Sequence, residues 1–231
     1  MSVDVDLKRV NGVIAQFCHD VVSEPLCFFS EADLQGMLFT KLTMEFPEQI
    51  ETSYARGPDS KGKYRTGLVH REYGAGGGRR IDISVFDPKD VSRIDEPNLK
   101  IAGKYIKPRF AIELGTEKSL DTAGHISRDL AKLANATERG YLLHFFRDTS
   151  RAAVGTGRRE NKERSLESKF RKPVNEVEVP PKVRSVFFLI RVARRQKRIW
   201  GKCEMYLHET GGWQKINLQN VFSCVSDYLS Q

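Results

Sequence analysis

Four cysteines in 231 residues, Cys18, Cys27, Cys203 and Cys224, are too few and too scattered to frame a disulfide scaffold. None stands in C-x-x-C spacing or beside a histidine pair, which argues against structural zinc and for reduced thiols. No apolar run approaches the roughly 20 residues that cross a bilayer. The first six residues are acidic and lack the basic start and apolar stretch of a secretory signal. A soluble, cytoplasmic protein without a membrane partner is the expectation. No internal repeat is visible. What is present is ordinary globular material: 39% apolar residues and 18 glycines, in a chain long enough to bury about 70% of its unfolded surface. A disordered tail, a collagen-like repeat and a disulfide miniprotein are excluded.

Hydrophobic periodicity outlines the elements. Leu7, Val10, Ile14, Phe17 and Val21 recur at helical spacing, and Pro25 interrupts them. Ser30 opens a second helix, with Asp33 in the capping-box position and Leu34, Leu38 and Leu42 as its buried stripe. Residues 50–54 and 68–73 read as strands of a hairpin around a polar insert, 56–67. The glycine cluster at 74–78 lacks phosphate-loop spacing and reads as a turn between strands. Two alternating strands follow. Ile81, Ile83 and Val85 oppose Asp82 and Ser84; Phe110, Ile112 and Leu114 oppose Ala111, Glu113 and Gly115. The polar stretch 87–108 between them reads as a surface excursion. Ile126, Leu130 and Leu133 mark a helix whose neighbouring stripe is His125, Asp129 and Lys132. Residues 141–146 are apolar without alternation, as in a strand buried on both faces. Residues 186–192 suggest another such strand, residues 200–208 and 213–216 a hairpin, and Val221, Cys224, Val225 and Tyr228 a closing helix. The order implies an α/β fold with a mixed central sheet flanked by helices.

Three carboxylates stand out. Glu31 lies near the apolar face of its helix, while Asp82 and Glu113 interrupt apolar strands. A lone ionised carboxylate costs several kcal/mol to bury, so each needs a partner or a cation. Magnesium takes oxygen ligands, typically one or two carboxylates together with waters and substrate phosphate. The alternative is solvent exposure, or pairing with Arg79, Arg80 or Arg109.

The ordered set resembles the PD-(D/E)XK nuclease superfamily, with its restriction-endonuclease-like α-β-β-β-α-β core. The matching stretches are Ser30-Glu31-Ala32-Asp33-Leu34, Arg80-Ile81-Asp82-Ile83-Ser84 and Ala111-Ile112-Glu113-Leu114-Gly115, followed by the helix around 126–133 and the strand 141–146. Residues 30–147 are covered. The resemblance implies a nuclease that hydrolyses DNA with Mg2+, for which Mn2+ substitutes. Asp82 and Glu113 would hold the metal and Glu31 would complete or tune the site. The family's water-activating lysine should stand where this chain has Gly115. Lys118 and Lys132 are the candidates to replace it, Lys118 preferred as nearer in sequence. If neither serves, the chain would be an inactive nuclease scaffold that binds nucleic acid. Glu72 and Asp129 are accessory candidates. His70 and His125 titrate in the useful range but lack an evident Ser or Cys partner.

The charge agrees with a polyanionic partner. Lys and Arg number 38 against 30 Asp and Glu, a net +8. Residues 150–172 carry +5 and residues 191–202 carry +6, so the remainder sums to 8 − 11 = −3. Arg158, Arg159, Lys162, Arg194, Arg195, Lys197 and Arg198 are the expected contacts to DNA, or to RNA. The expected organisation is a nuclease core at 1–149, a basic linker or arm at 150–180, and strands plus a helix at 181–231 that complete or extend the sheet. A homodimer would allow both strands of a duplex to be cut. A basic protein–protein adaptor is the reading outside nucleic acids.

Overall fold

The computed structural model describes residues 5–55, 61–74, 79–96, 99–116, 124–134, 136, 138–148, 181–193, 200–209, 212–217 and 220–231. Helix α1, Val5–Ser23, buries Val10, Ile14, Phe17 and Val21, the stripe expected from their spacing. Helix α2, Glu31–Glu45, starts at a complete capping box. Ser30 Oγ accepts from the Asp33 N–H, and the Asp33 carboxylate accepts from the Ser30 N–H.

Strands β1 (Gln49–Ala55) and β2 (Lys61–Gly67) pair antiparallel as a separate two-stranded sheet. This corrects the expected hairpin. The partner of β1 lies inside the polar insert, and β3 (Val69–Gly74) pairs instead with β4 (Arg80–Val85). The stretch after β4 also departs from a bare surface excursion. It forms a short helix, α3 (Pro88–Val91), and the small hairpin β5 (Lys100–Ile101) and β6 (Lys104–Tyr105). Val91, Ile94, Leu99 and Ile106 anchor this segment in the core. Tyr73 ties it down, its hydroxyl donating to the Ile106 carbonyl at 2.7 Å.

Strands β7 (Phe110–Thr116), β8 (Arg139–Asp148), β9 (Val183–Ala193), β10 (Trp200–Glu209) and β11 (Gly212–Asn217) complete the main sheet, with helix α4 (His125–Leu133) between β7 and β8. The order is β11-β10-β9-β8-β7-β4-β3. Its centre, β7-β8-β9, is parallel and its flanks are antiparallel. Residues 141–145 of β8 are buried throughout, which explains the missing alternation.

Helices cover both faces. On one, the Tyr141 hydroxyl donates to Asn11 of α1, and helix α5 (Val221–Ser230) joins α1 where Asn11 donates to the Leu229 carbonyl. On the other lies α4. The chain is thus a mixed α/β protein with a central sheet flanked by helices. Among the described residues no helix is long and apolar enough to cross a membrane.

Candidate active site

The antiparallel register of β4 and β7 ends at the Ile83–Ile112 pair, and Asp82 and Glu113 are the next residues on the two strands, on the face covered by α4. One carboxylate on each of two neighbouring strands therefore points the same way. The Leu114 N–H donates to Asp82 Oδ2 at 2.7 Å and fixes that carboxyl. Glu113 is 2% exposed, deep enough that solvent cannot share its charge.

Lys132 comes down from α4. Its Nζ lies 2.5 Å from Glu113 Oε2, 2.9 Å from Asp129 Oδ1 and 3.1 Å from the Arg80 carbonyl. Of the stripe His125, Asp129, Lys132, the lysine thus meets a strand carboxylate, and His125 Nε2 lies 3.2 Å from Asp129 Oδ2. Two carboxylates thus contact one ammonium, and Asp82 is close enough to feel its charge. Glu113 Oε1 is buried and has no hydrogen-bond partner among the described residues.

These surroundings shift the acids. Burial pushes Asp82 up to about 7, aided by the charges of Glu31 and Asp129 and opposed by the Leu114 N–H and Lys132. Burial, then the charges of Asp82 and Asp129, raise Glu113 well above its ordinary value against the pull of Lys132. For Lys132, burial acts downward, but Glu113 and Asp129 outweigh it and raise its affinity for the proton.

Glu31 is the first helical residue of α2 and half-buried, so it is not on the buried stripe itself. It is near enough to Asp82 to disfavour that residue's ionisation. Among the described residues no group of three or more His, Cys, Asp or Glu is arranged to hold a metal, so Glu31, Asp82 and Glu113 do not close into a three-ligand set. The donor chemistry nonetheless fits a hard cation bound by two carboxylates. Asp82 and Glu113 are adjacent, their ionisation is resisted by mutual repulsion, and Glu113 retains an unpartnered oxygen.

Gly115 is explained sterically. It pairs with His144 on β8, and a Cβ on Gly115 would lie 2.3 Å from the His144 Cε1 atom. No lysine fits there, because the imidazole occupies the space above the glycine. Of the two replacement lysines, Lys132 is the one whose ammonium is seen on Glu113; Lys118 lies outside the described residues.

The accessory residues divide. Asp129 belongs to the cluster. Glu72 is tied to Gln35, whose Nε2 donates to Glu72 Oε1 at 2.8 Å and to the Asp82 carbonyl at 3.0 Å. Arg109 is engaged by Asp6 and Glu138 and does not serve Glu113. His70 packs on Phe86 and contacts the Gly67 carbonyl, apart from the carboxylates. Arg158, Arg159, Lys162, Arg194, Arg195, Lys197 and Arg198 lie outside the described residues.

Two participants escaped sequence reasoning. Gln35, 5% exposed, links α2 to the backbone of Asp82; its signal was a polar side chain four residues after Glu31 on a helix packed against the sheet. His144 stood as the lone polar residue within an apolar run. Glu72 opposes Asp82 with a left-handed φ of 51°, a strained conformation of the kind that gathers at functional sites. No protein-family model, no curated protein and no solved structure matches this chain.

Proposed function

We propose that this protein is a metal-dependent nuclease of the PD-(D/E)XK kind, hydrolysing phosphodiester bonds of DNA. One observation carries the reading: Asp82 and Glu113 stand close together just beyond the last β4–β7 pair, with the Lys132 ammonium 2.5 Å from Glu113 Oε2. Two strand carboxylates and a helix-borne lysine are the parts that metal-assisted hydrolysis requires. Asp82 and Glu113 would hold Mg2+, which supplies charge neutralisation at the phosphate and acidifies a water. Glu31, close enough to Asp82 to oppose its ionisation, would orient solvent on the ion. Lys132 takes the place vacated at Gly115, holding Glu113 in position and keeping a proton donor beside the phosphate.

Supercoiled plasmid incubated with Mg2+ or Mn2+ tests this directly. Wild type should nick or linearise it, EDTA should stop the reaction, and Asp82→Asn and Glu113→Gln should abolish it. Lys132→Met should slow cleavage by about 100-fold or more. Equal nicking by wild type and both carboxylate variants would reject the proposal.

A second reading is an inactive nuclease scaffold that binds nucleic acid. The tight Glu113–Lys132 pair favours it, because an ammonium can substitute for a cation in neutralising the site. Calorimetric titration with Mn2+ separates the two. Binding lost in Asp82→Asn supports the nuclease, and no binding to wild type supports the scaffold.

A further inference from the structure

Strand β3 is the last strand of the main sheet, and a cleft of about 540 Å3 runs beside it. That volume lies within the span of small-ligand sites, roughly 300–1,000 Å3. The β1–β2 hairpin contributes Tyr64 to its wall, and the β5–β6 hairpin contributes Tyr105. Arg80, exposed, adds a guanidinium group, that of Arg71 is already held by Gln35 Oε1 at 2.6 Å, and His70 lies within. The lining is aromatic and cationic, with little aliphatic surface for a lipid or an apolar metabolite.

Tyr105 is built as a platform. Its ring is 40% exposed, is backed edge-on by Tyr73 at 5.9 Å, and has Lys100 Nζ 4.6 Å from its centroid. Tyr73 in turn is held by the Ile106 carbonyl, so the platform rests on a fixed base. Glu72, the one acid in the cleft wall, has an oxygen engaged by Gln35.

Arg80 joins this cleft to the carboxylates. It lies two residues before Asp82 on β4, about 7 Å along the strand, and its carbonyl accepts from Lys132. A chain of phosphates crossing Asp82 and Glu113 would continue past Arg80 into the cleft. A base that has left its stack can lie on a ring that lines the cleft, whereas the stacked bases of a duplex present only their edges.

We infer that this cleft binds an unpaired segment of nucleic acid beside the reacting phosphate, its bases stacking on Tyr105 and Tyr64 and its phosphates meeting Arg80. The substrate class is therefore single-stranded or locally unpaired nucleic acid. This rests on the nuclease reading above, and its test does not use cleavage.

Anisotropy of a fluorescent oligothymidine is measured in EDTA with the full chain, beside a hairpin duplex of equal charge. The wild type should bind the single strand more tightly than the duplex. Tyr105→Ala should weaken single-strand binding about 10-fold, Tyr105→Phe should retain it, and Arg80→Ala should weaken it by a similar factor. Circular dichroism confirms that each variant is folded. Unchanged single-strand affinity in folded Tyr105→Ala, or equal preference for the duplex, overturns the inference. The two proposals fail separately: cleavage that persists with an idle cleft sinks only this one, and cleft binding without any metal-dependent cleavage sinks only the nuclease.

Discussion

Asp82 shows how much of this site's behaviour is set by one buried group. An unfolded aspartate releases its proton near 3.8, whereas Asp82 in the fold does so only near 7. Between those values the folded state keeps a proton that the unfolded chain has lost. The stability this contributes is complete below about pH 4 and is lost as pH rises through 7. Asp82→Asn keeps an acceptor for the Leu114 N–H but cannot ionise. It should leave stability near pH 4 almost unchanged and raise it at pH 8 by up to about 4 kcal/mol, read from urea unfolding at the two pH values. An equal effect at both would show that Asp82 ionises normally. His144 runs the other way: burial lowers it to about 3, so its contribution is present above 6.5 and fades on acidification. Its ring also forbids a side chain at 115. Gly115→Ala should cost roughly 1–3 kcal/mol, and His144→Ala in the same chain should recover part of that loss.

At the scale of elements, the caps and strands that carry the site can be tested as supports. The Ser30 hydroxyl closes the first turn of α2, directly before Glu31. Ser30→Ala should lower stability by about 1 kcal/mol and, in the proposed enzyme, impair activity more than that loss of fold predicts. Thermal denaturation set beside plasmid nicking separates the two effects. This helix and its cap were legible in the sequence because leucines at four-residue spacing follow a capping pair. Strands β4 and β7 were legible because Asp82 and Glu113 break an apolar alternation. Strand β2 was not, since Lys63 and Arg65 against Tyr64 and Thr66 give it no strongly apolar face and it lies within a glycine-bearing polar stretch. The segment from α3 to β6 hid its core contacts because Val91, Ile94, Leu99 and Ile106 are scattered among charges and prolines at no fixed period. The candidate site was half legible. Its acids are exceptions to local patterns, but the meeting of Lys132 with Glu113 and of His144 with Gly115 depends on register between distant segments. No local pattern encodes that register.

Taken whole, the proposed nuclease would separate two ways of holding a polyanion. The +11 of residues 150–172 and 191–202 is sequence-independent charge, while the remaining −3 includes the buried acids of the proposed centre. Charge of this kind acts by releasing counterions, so it sets the slope of affinity against salt; a ring on which a base stacks changes affinity with little effect on that slope. The two contributions are therefore separable in one experiment. Replacing Arg194, Arg195, Lys197 and Arg198 together by alanine should reduce the slope of log K against log salt for a single-stranded oligonucleotide by about 3, since each neutralised phosphate accounts for about 0.7. Tyr105→Ala should shift the same line downward and leave it parallel. An unaltered slope in the fourfold variant would remove these four residues from the nucleic-acid surface and leave 150–172 as the remaining basic stretch able to supply it. A change of slope in Tyr105→Ala would mean that the ring positions a cation, such as the neighbouring Lys100, and does not itself stack on a base.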